Sequence, residues 1–197
     1  MQRFIQFAAT IINTKNCTMK KLVLRYGLLG GLIVGGILAI EVAFGLLSNH
    51  DGGSMLLGYA SMLLAFSLIF VGVKSYRDKE LDGFISFGKA FKMALLIMLI
   101  TSTGYVLVWL ICYYFFIPDF MEQYTSSVLK SAAESGMSAA DQAKEAASMQ
   151  QYIEWYKNPL FVILLTYAEI VPVGIVVSLI AALILKRKNN RQLAGAV

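Results

Sequence analysis

Four stretches of this chain, residues 26–47, 55–73, 93–117 and 160–185, are almost wholly apolar and contain no Lys or Arg. A hydrocarbon layer about 30 Å thick is crossed by roughly 20 such residues in an α-helix, the one open-ended element that satisfies its own backbone hydrogen bonds in lipid. Each stretch is long enough. The chain as a whole is 58% hydrophobic and 15% charged, with a mean hydropathy of +0.67, which excludes an ordinary soluble domain. The expected fold is all-α: a polytopic membrane protein of four transmembrane helices.

The net charge of +5 is laid out as a topology signal, not as a nucleic-acid stripe. Of the 17 basic residues, 14 fall in three segments: Arg3, Lys15, Lys20, Lys21 and Arg25 before the first span; Lys74, Arg77, Lys79, Lys89 and Lys92 between the second and third; and Lys186, Arg187, Lys188 and Arg191 after the fourth. The short connection 48–54 has none, and the 118–158 segment sets only Lys130, Lys144 and Lys157 against six acids. Under the positive-inside rule, both termini and the 74–92 loop are expected in the cytoplasm, and 118–158 outside.

Residues 118–158 hold the only long polar segment, and it reads as a helical hairpin between spans 3 and 4. Met121, Tyr124 and Val128 mark one helical face, and Ser135-Gly136 interrupts it. Ser138 followed by Asp141 has the chemistry of a helix start, a hydroxyl capping the first amides and a carboxylate near the positive end of the dipole. In the 74–92 loop, Phe84, Phe87 and Phe91 alternate with Lys89 and Lys92 in a pattern suited to the membrane surface. Tyr113, Tyr114, Phe115 and Phe116, with Trp155 and Tyr156, read as an outer aromatic belt. The expected organisation is an N-terminal arm, or a stretch ahead of a later start at Met19, over 1–18; a membrane domain over 19–188; and a cytoplasmic tail over 189–197.

Four stretches together resemble a family of small bacterial membrane proteins, domain-of-unknown-function family 4199: MKKLVLRYGLLGGLI at 19–33, FVGVKSYRDKELDGFISFGKAFK at 70–92, YKNPLF at 156–161 and EIVPVGIVVSLIAALILKRK at 169–188. The resemblance implies a four-span protein of a bacterial inner membrane. It implies no activity, and it transfers no catalytic residue.

Two constellations stand out within the spans. Gly27, Gly31, Gly35, Ala39 and Ala43 recur every fourth residue and form a groove that another helix backbone can enter. The groove serves either packing within the chain or a homodimer seam. Glu41 and Glu169 are the acids of the first and fourth spans. Pro172 removes the amide that would bond the carbonyl of Ala168, so a carboxylate and a freed backbone oxygen share one turn. Thr101, Ser102 and Thr103, with Tyr105, form a polar knot in the third span, and Tyr167 lies near Glu169. With the first span starting near Tyr26, the two acids come out within about 6 Å of the same height at 1.5 Å per residue. They then act either as hydrogen-bonding glue or as a proton or cation site.

Cys17 and Cys112 are expected as free thiols, and His50 beside Asp51 falls short of a metal site. There is no G-x-S-x-G, H-E-x-x-H or Walker loop. The expectation is a non-enzymatic protein without cofactor or metal. Its partners are the lipid bilayer and other membrane proteins or a second copy of itself, not nucleic acid. The rival reading is a small proton- or cation-coupled permeation module built on Glu41 and Glu169.

Overall fold

The computed structural model describes residues 2–48 and 55–187, with side chains described over 17–46 and 56–187. His50, Asp51 and the tail beyond Arg187 lie outside the described residues. Six helices follow in order: α1 (Gln2–Ser48), α2 (Met55–Glu80), α3 (Phe87–Ile111), α4 (Phe120–Glu134), α5 (Ala139–Tyr156) and α6 (Pro159–Leu185). Four stretches within them, Cys17–Leu46, Leu56–Glu80, Phe87–Phe116 and Pro159–Leu185, are long and apolar enough to cross a membrane. The first begins nine residues earlier than Tyr26, a difference that matters for the depth of Glu41.

In the bundle, α3 packs on α1 and α6, α2 packs on the same two, and α2 meets α3 across the centre. Helices α1 and α6 therefore stand at opposite corners. Met62, Phe66, Ile69, Val73 and Tyr76 repeat at four- and three-residue steps along α2, so one stripe of that helix faces the centre, and all five are buried. They meet Met93, Ile97 and Met98 of α3 and Ile170 of α6, which are buried as well.

The α1–α3 contact is a backbone approach between parallel helices. A Cβ added at Gly27 would sit 2.7 Å from Ile100 Cβ, one at Gly31 3.3 Å from Gly104 Cα, and one at Gly35 2.7 Å from Val108 Cγ2. The pairs 27/100, 31/104 and 35/108 keep one spacing, so the two helices run in register over two turns. Ala39 and Ala43, the next steps of the stripe, are exposed. The small-residue groove is thus filled by α3 over its glycine half and open over its alanine half.

One end of the bundle gathers the basic residues and the other carries the α4–α5 hairpin. At the basic end α2 stops in a turn, where the Gly83 amide donates to the Arg77 carbonyl at 3.0 Å. Both turn residues have positive φ, Asp82 at 52° and Gly83 at 83°. Arg77 is buried and its guanidinium donates to the Leu185 carbonyl at 3.3 Å, satisfying an orphan acceptor at the end of α6. Asp78 balances its charge through Nε at 2.6 Å. Just beyond, Ile85 and Arg187 exchange two backbone hydrogen bonds of 3.1 and 2.9 Å.

At the other end α3 passes into a π-helical turn, Cys112–Phe116, closed by the Ile117 amide on the Cys112 carbonyl at 3.0 Å. The wider turn precedes Pro118, which cannot continue the ladder. It sets Tyr113 inward and leaves Tyr114, Phe115 and Phe116 exposed. Ser138 caps α5: its Oγ accepts from the Asp141 amide at 3.2 Å and donates to the Asp141 carboxylate at 2.7 Å. Asn158 caps α6 ahead of Pro159 at the first helical position. Trp109, Tyr113, Phe120, Tyr152 and Tyr156 pack around Met121 and Val162, fastening the hairpin to the ends of α3 and α6. Cys17 is exposed and Cys112 buried, both as free thiols.

Gly104 tests the backbone approach directly, since a Cβ there would lie 2.8 Å from Gly31 Cα. Gly104→Ala is expected to cost about 1–3 kcal/mol through overpacking and to lower Tm in detergent. Gly36→Ala, with open space around it, should leave Tm unchanged or slightly higher. Equal melting of the two variants would remove the close contact from the account.

Candidate functional site

Polar side chains of the spans divide into bonded and unbonded groups, most of them from the level of Thr101 toward the hairpin and one, Ser178, buried nearer the basic end. Thr101 donates to the Gly27 carbonyl at 3.2 Å, a buried hydrogen bond that ties α3 to α1. Ser102, fully buried, faces Met98 Sδ of its own helix at 3.6 Å. Thr103 donates back to the Leu99 carbonyl at 2.8 Å, and its Oγ1 lies 2.9 Å from the Tyr167 hydroxyl. Since the Thr103 proton is committed to Leu99, Tyr167 is the donor in that pair. The polar knot therefore ties α3 to itself, to α1 and to α6, and none of these hydroxyls bonds an acid.

Glu41, Tyr105, Glu169 and Ser178 belong to the unbonded group among the described residues of the spans, and the Ser178 hydroxyl is fully buried. Glu41 is half-buried, and its Oε1 is sealed from solvent with no hydrogen-bond partner. Tyr105 is 8% exposed. Among the described residues its hydroxyl and the Glu169 carboxylate have no hydrogen-bond partner either. Glu169 keeps an exposed flank, as do its neighbours Ala168 and Pro172. Helix α6 runs unbroken through Pro172, whose ring nitrogen has no amide proton to offer the Ala168 carbonyl one turn back, beside Glu169.

Register places the two acids at different heights. Carried along the α1–α3 spacing, Glu41 stands level with Tyr114. The α3–α6 pairs Thr103/Tyr167 and Met98/Gly174 put Glu169 level with about Ser102. Twelve residues at 1.5 Å each separate them by about 18 Å along the bundle, not the 6 Å expected from the sequence. The sequence estimate started the first span at Tyr26, whereas the apolar helix starts at Cys17 and carries Glu41 toward the hairpin end. By the same registers Tyr105 stands about two turns nearer the basic end than Glu41 and about one turn nearer the hairpin than Glu169.

Tyr59, Tyr105 and Tyr156 are the residues that a reading of the acids alone passes over. Each lies on a different helix, α2, α3 and α5, with Tyr105 in the central core and Tyr156 in the aromatic cluster at the hairpin. Tyr156 lies outside the spans, at the base of the aromatic cluster. Burial, reinforced by the Glu169 carboxylate, pushes its phenol up to about 12. Among the described residues no three His, Cys, Asp or Glu side chains gather as metal ligands.

A family described as "Protein of unknown function (DUF4199)" has a model that matches residues 25–187. No curated protein and no solved structure matches the chain.

The raised pKa of Tyr156 gives stability a sign at high pH. Below pH 10 the phenol is protonated folded and unfolded alike; between about 10 and 12 the unfolded chain ionises first, so folding loses stability as pH rises. Thermal melts of wild type in detergent across pH 9–12 should show that fall, and Tyr156→Phe should make it shallower. An identical slope in the variant would assign the alkaline transition to other tyrosines.

Proposed function

The chain belongs to the DUF4199 family of proteins of unknown function, and on that footing we propose that it is a non-enzymatic structural or interaction component of a bacterial inner membrane. The observation that carries this reading is the filling of the basic half of the bundle. From the level of Met98 toward the basic end, Phe66, Ile69, Val73, Met93 and Ile97 are buried and apolar, and Tyr76 and Arg77 close the end. A permeation module built on Glu41 and Glu169 needs a polar path through that half, and these side chains occupy it. The spans' hydroxyls favour a structural reading too, since Thr101, Thr103 and Thr166 donate to the backbone carbonyls of Gly27, Leu99 and Val162.

Orientation follows from charge. Lys20, Lys21, Arg25, Lys74, Lys79, Lys89, Lys92, Lys186 and Arg187 are exposed at the basic end, which suits the cytoplasm, with both termini on that side. Two of the three lysines of the hairpin end are paired, Lys144 with Asp141 at 3.6 Å and Lys157 with Glu154 at 2.7 Å. The occupied glycine stripe favours other membrane proteins over a homodimer through that groove. The exposed polar ridge of α4, with Glu122, Ser126, Lys130 and Glu134, is the surface that such a partner would meet.

Flux measurements separate this reading from its rival. Liposomes containing the purified protein should pass protons, sodium and potassium no faster than empty ones, and Glu41→Gln and Glu169→Gln should melt within a few degrees of wild type. Flux that either substitution abolishes would establish permeation instead. For orientation, in a variant lacking Cys17 and Cys112, Ser135→Cys should react with an impermeant maleimide in cells with a permeabilised outer membrane, and Lys79→Cys should not. The reverse pattern would invert the topology.

A further inference from the structure

The two acids of the apolar stretches face different ways. Glu41 is half-buried with one oxygen sealed, whereas Glu169 lies on the outer surface of α6. Glu169 makes no hydrogen bond or ion pair among the described residues. It stands about 15 Å from the Pro159 end of α6 and about 24 Å from the Leu185 end, at 1.5 Å per residue. With a hydrocarbon layer of about 30 Å centred on the helix, that is about 10 Å beneath the outer surface of the layer. An outward carboxylate at such a depth is costly, and acids within spans are almost always met by a protein or aqueous partner. No Lys or Arg occurs within 26–47, 55–73, 93–117 or 160–185, so the chain itself supplies no cation there.

The surface that continues from Glu169 has the periodicity of a helix seam. Glu169, Pro172, Val176, Leu179 and Leu183 follow one another at alternating steps of three and four residues, and all five are exposed. Such steps lay one stripe along a helix, the pattern on which a second helix packs lengthwise. Helices α2, α3 and α5 meet α6 on its other sides and leave this stripe uncovered. Beside the carboxylate, Pro172 denies the Ala168 carbonyl its usual amide, and Ala168 is exposed as well. The apolar stripe thus ends in two acceptors and no donor. Its complement is a cationic donor, above all the guanidinium of arginine, whose N–H groups hold a carboxylate with two parallel hydrogen bonds. A free ion would meet the carboxylate but not the apolar stripe, and a second copy of this chain brings no cation to that depth. We propose that this face of α6 docks a transmembrane helix of another membrane protein, with an arginine near the middle of that helix paired to the Glu169 carboxylate. The surface rests on the reading of the protein as an interaction component and gives its partner a chemistry.

The probe is a synthetic helix of about 20 leucine and alanine residues with one central arginine, free of tryptophan and carrying a dansyl group at each end. Wild-type protein and probe are reconstituted in zwitterionic liposomes. Association is read by energy transfer from Trp109 and Trp155, which lie at the hairpin end. Counterparts with leucine, glutamine or glutamate in place of the arginine complete the set. The arginine helix is expected to associate about ten-fold more tightly than the leucine or glutamine helix, equivalent to about 1.4 kcal/mol. Glu169→Gln should remove that preference, and Glu41→Gln should keep it. Should Glu169→Gln fail to fold, the ratio of arginine to glutamate helix bound by Glu41→Gln decides. Equal association of the arginine helix and its uncharged or acidic counterparts, or an arginine preference that survives Glu169→Gln, would overturn the proposal. So would self-association of wild type in detergent that Glu169→Gln abolishes, since it assigns the stripe to a second copy. Ion flux, measured without the helices, bears on the interaction reading alone, so the two fail separately.

Discussion

The contact on which the bundle depends is the meeting of Gly31 and Gly104, where the backbones of α1 and α3 approach with no side chain between them. In lipid, apolar side chains gain nothing by leaving one hydrocarbon surface for another, so helices associate through close van der Waals packing and interhelical hydrogen bonds. The glycine pair supplies the first and places the second, since the same approach brings Thr101 within reach of the Gly27 carbonyl. It also fixes the parallel register, and with it the height of every other group on α1. Add a methyl at either glycine and the Thr101 bond lengthens with the packing.

The basic end is held by a different chemistry. Helices α2 and α6 run parallel, and Phe66 against Gly174 and Arg77 against Leu185 share one sequence spacing. The first of these contacts is apolar and central; the second is a cation on the last carbonyls of a helix, where the macrodipole is negative. The bridge between Ile85 and Arg187 then pins the connection before α3 to the strand-like exit of α6. Hydrogen bonds replace packing here because the chain is leaving hydrocarbon and its backbone groups must be paired as the helices end.

What could be read from the sequence was what local chemistry decides. Span number, the Ser138 cap, the break at Ser135-Gly136 and the free cysteines follow from residue type and spacing over a few positions, and the structure places them as read. The family resemblance rested on stretches of the same kind, and the family match takes in two of them whole and the other two over 25–33 and 169–187. The depth of Glu41 was not legible, because it depends on where α1 enters the bilayer, and Lys20, Lys21 and Arg25 masked a helix whose apolar span begins at Cys17. Nor was the fate of the small-residue stripe: Gly35 and Ala39 are equivalent by spacing, yet one meets Val108 and the other is exposed. Only the partner helix distinguishes them.

These constraints divide the bundle into two halves with different obligations. Toward the basic end Phe66, Ile69, Val73 and Ile97 fill the centre, and the one buried hydroxyl there without a hydrogen bond among the described residues is that of Ser178. Toward the hairpin Glu41 Oε1 and Thr125 Oγ1 are sealed without a hydrogen bond, while Thr101, Thr103 and Thr166 each donate to a backbone carbonyl. A bundle selected for rigidity alone would have filled those positions with leucine, since replacing unpaired buried polar groups by apolar ones is neutral or stabilising. The sealed oxygen of Glu41, level with Tyr114 on the register of α1 and α3, therefore carries a cost that packing does not explain.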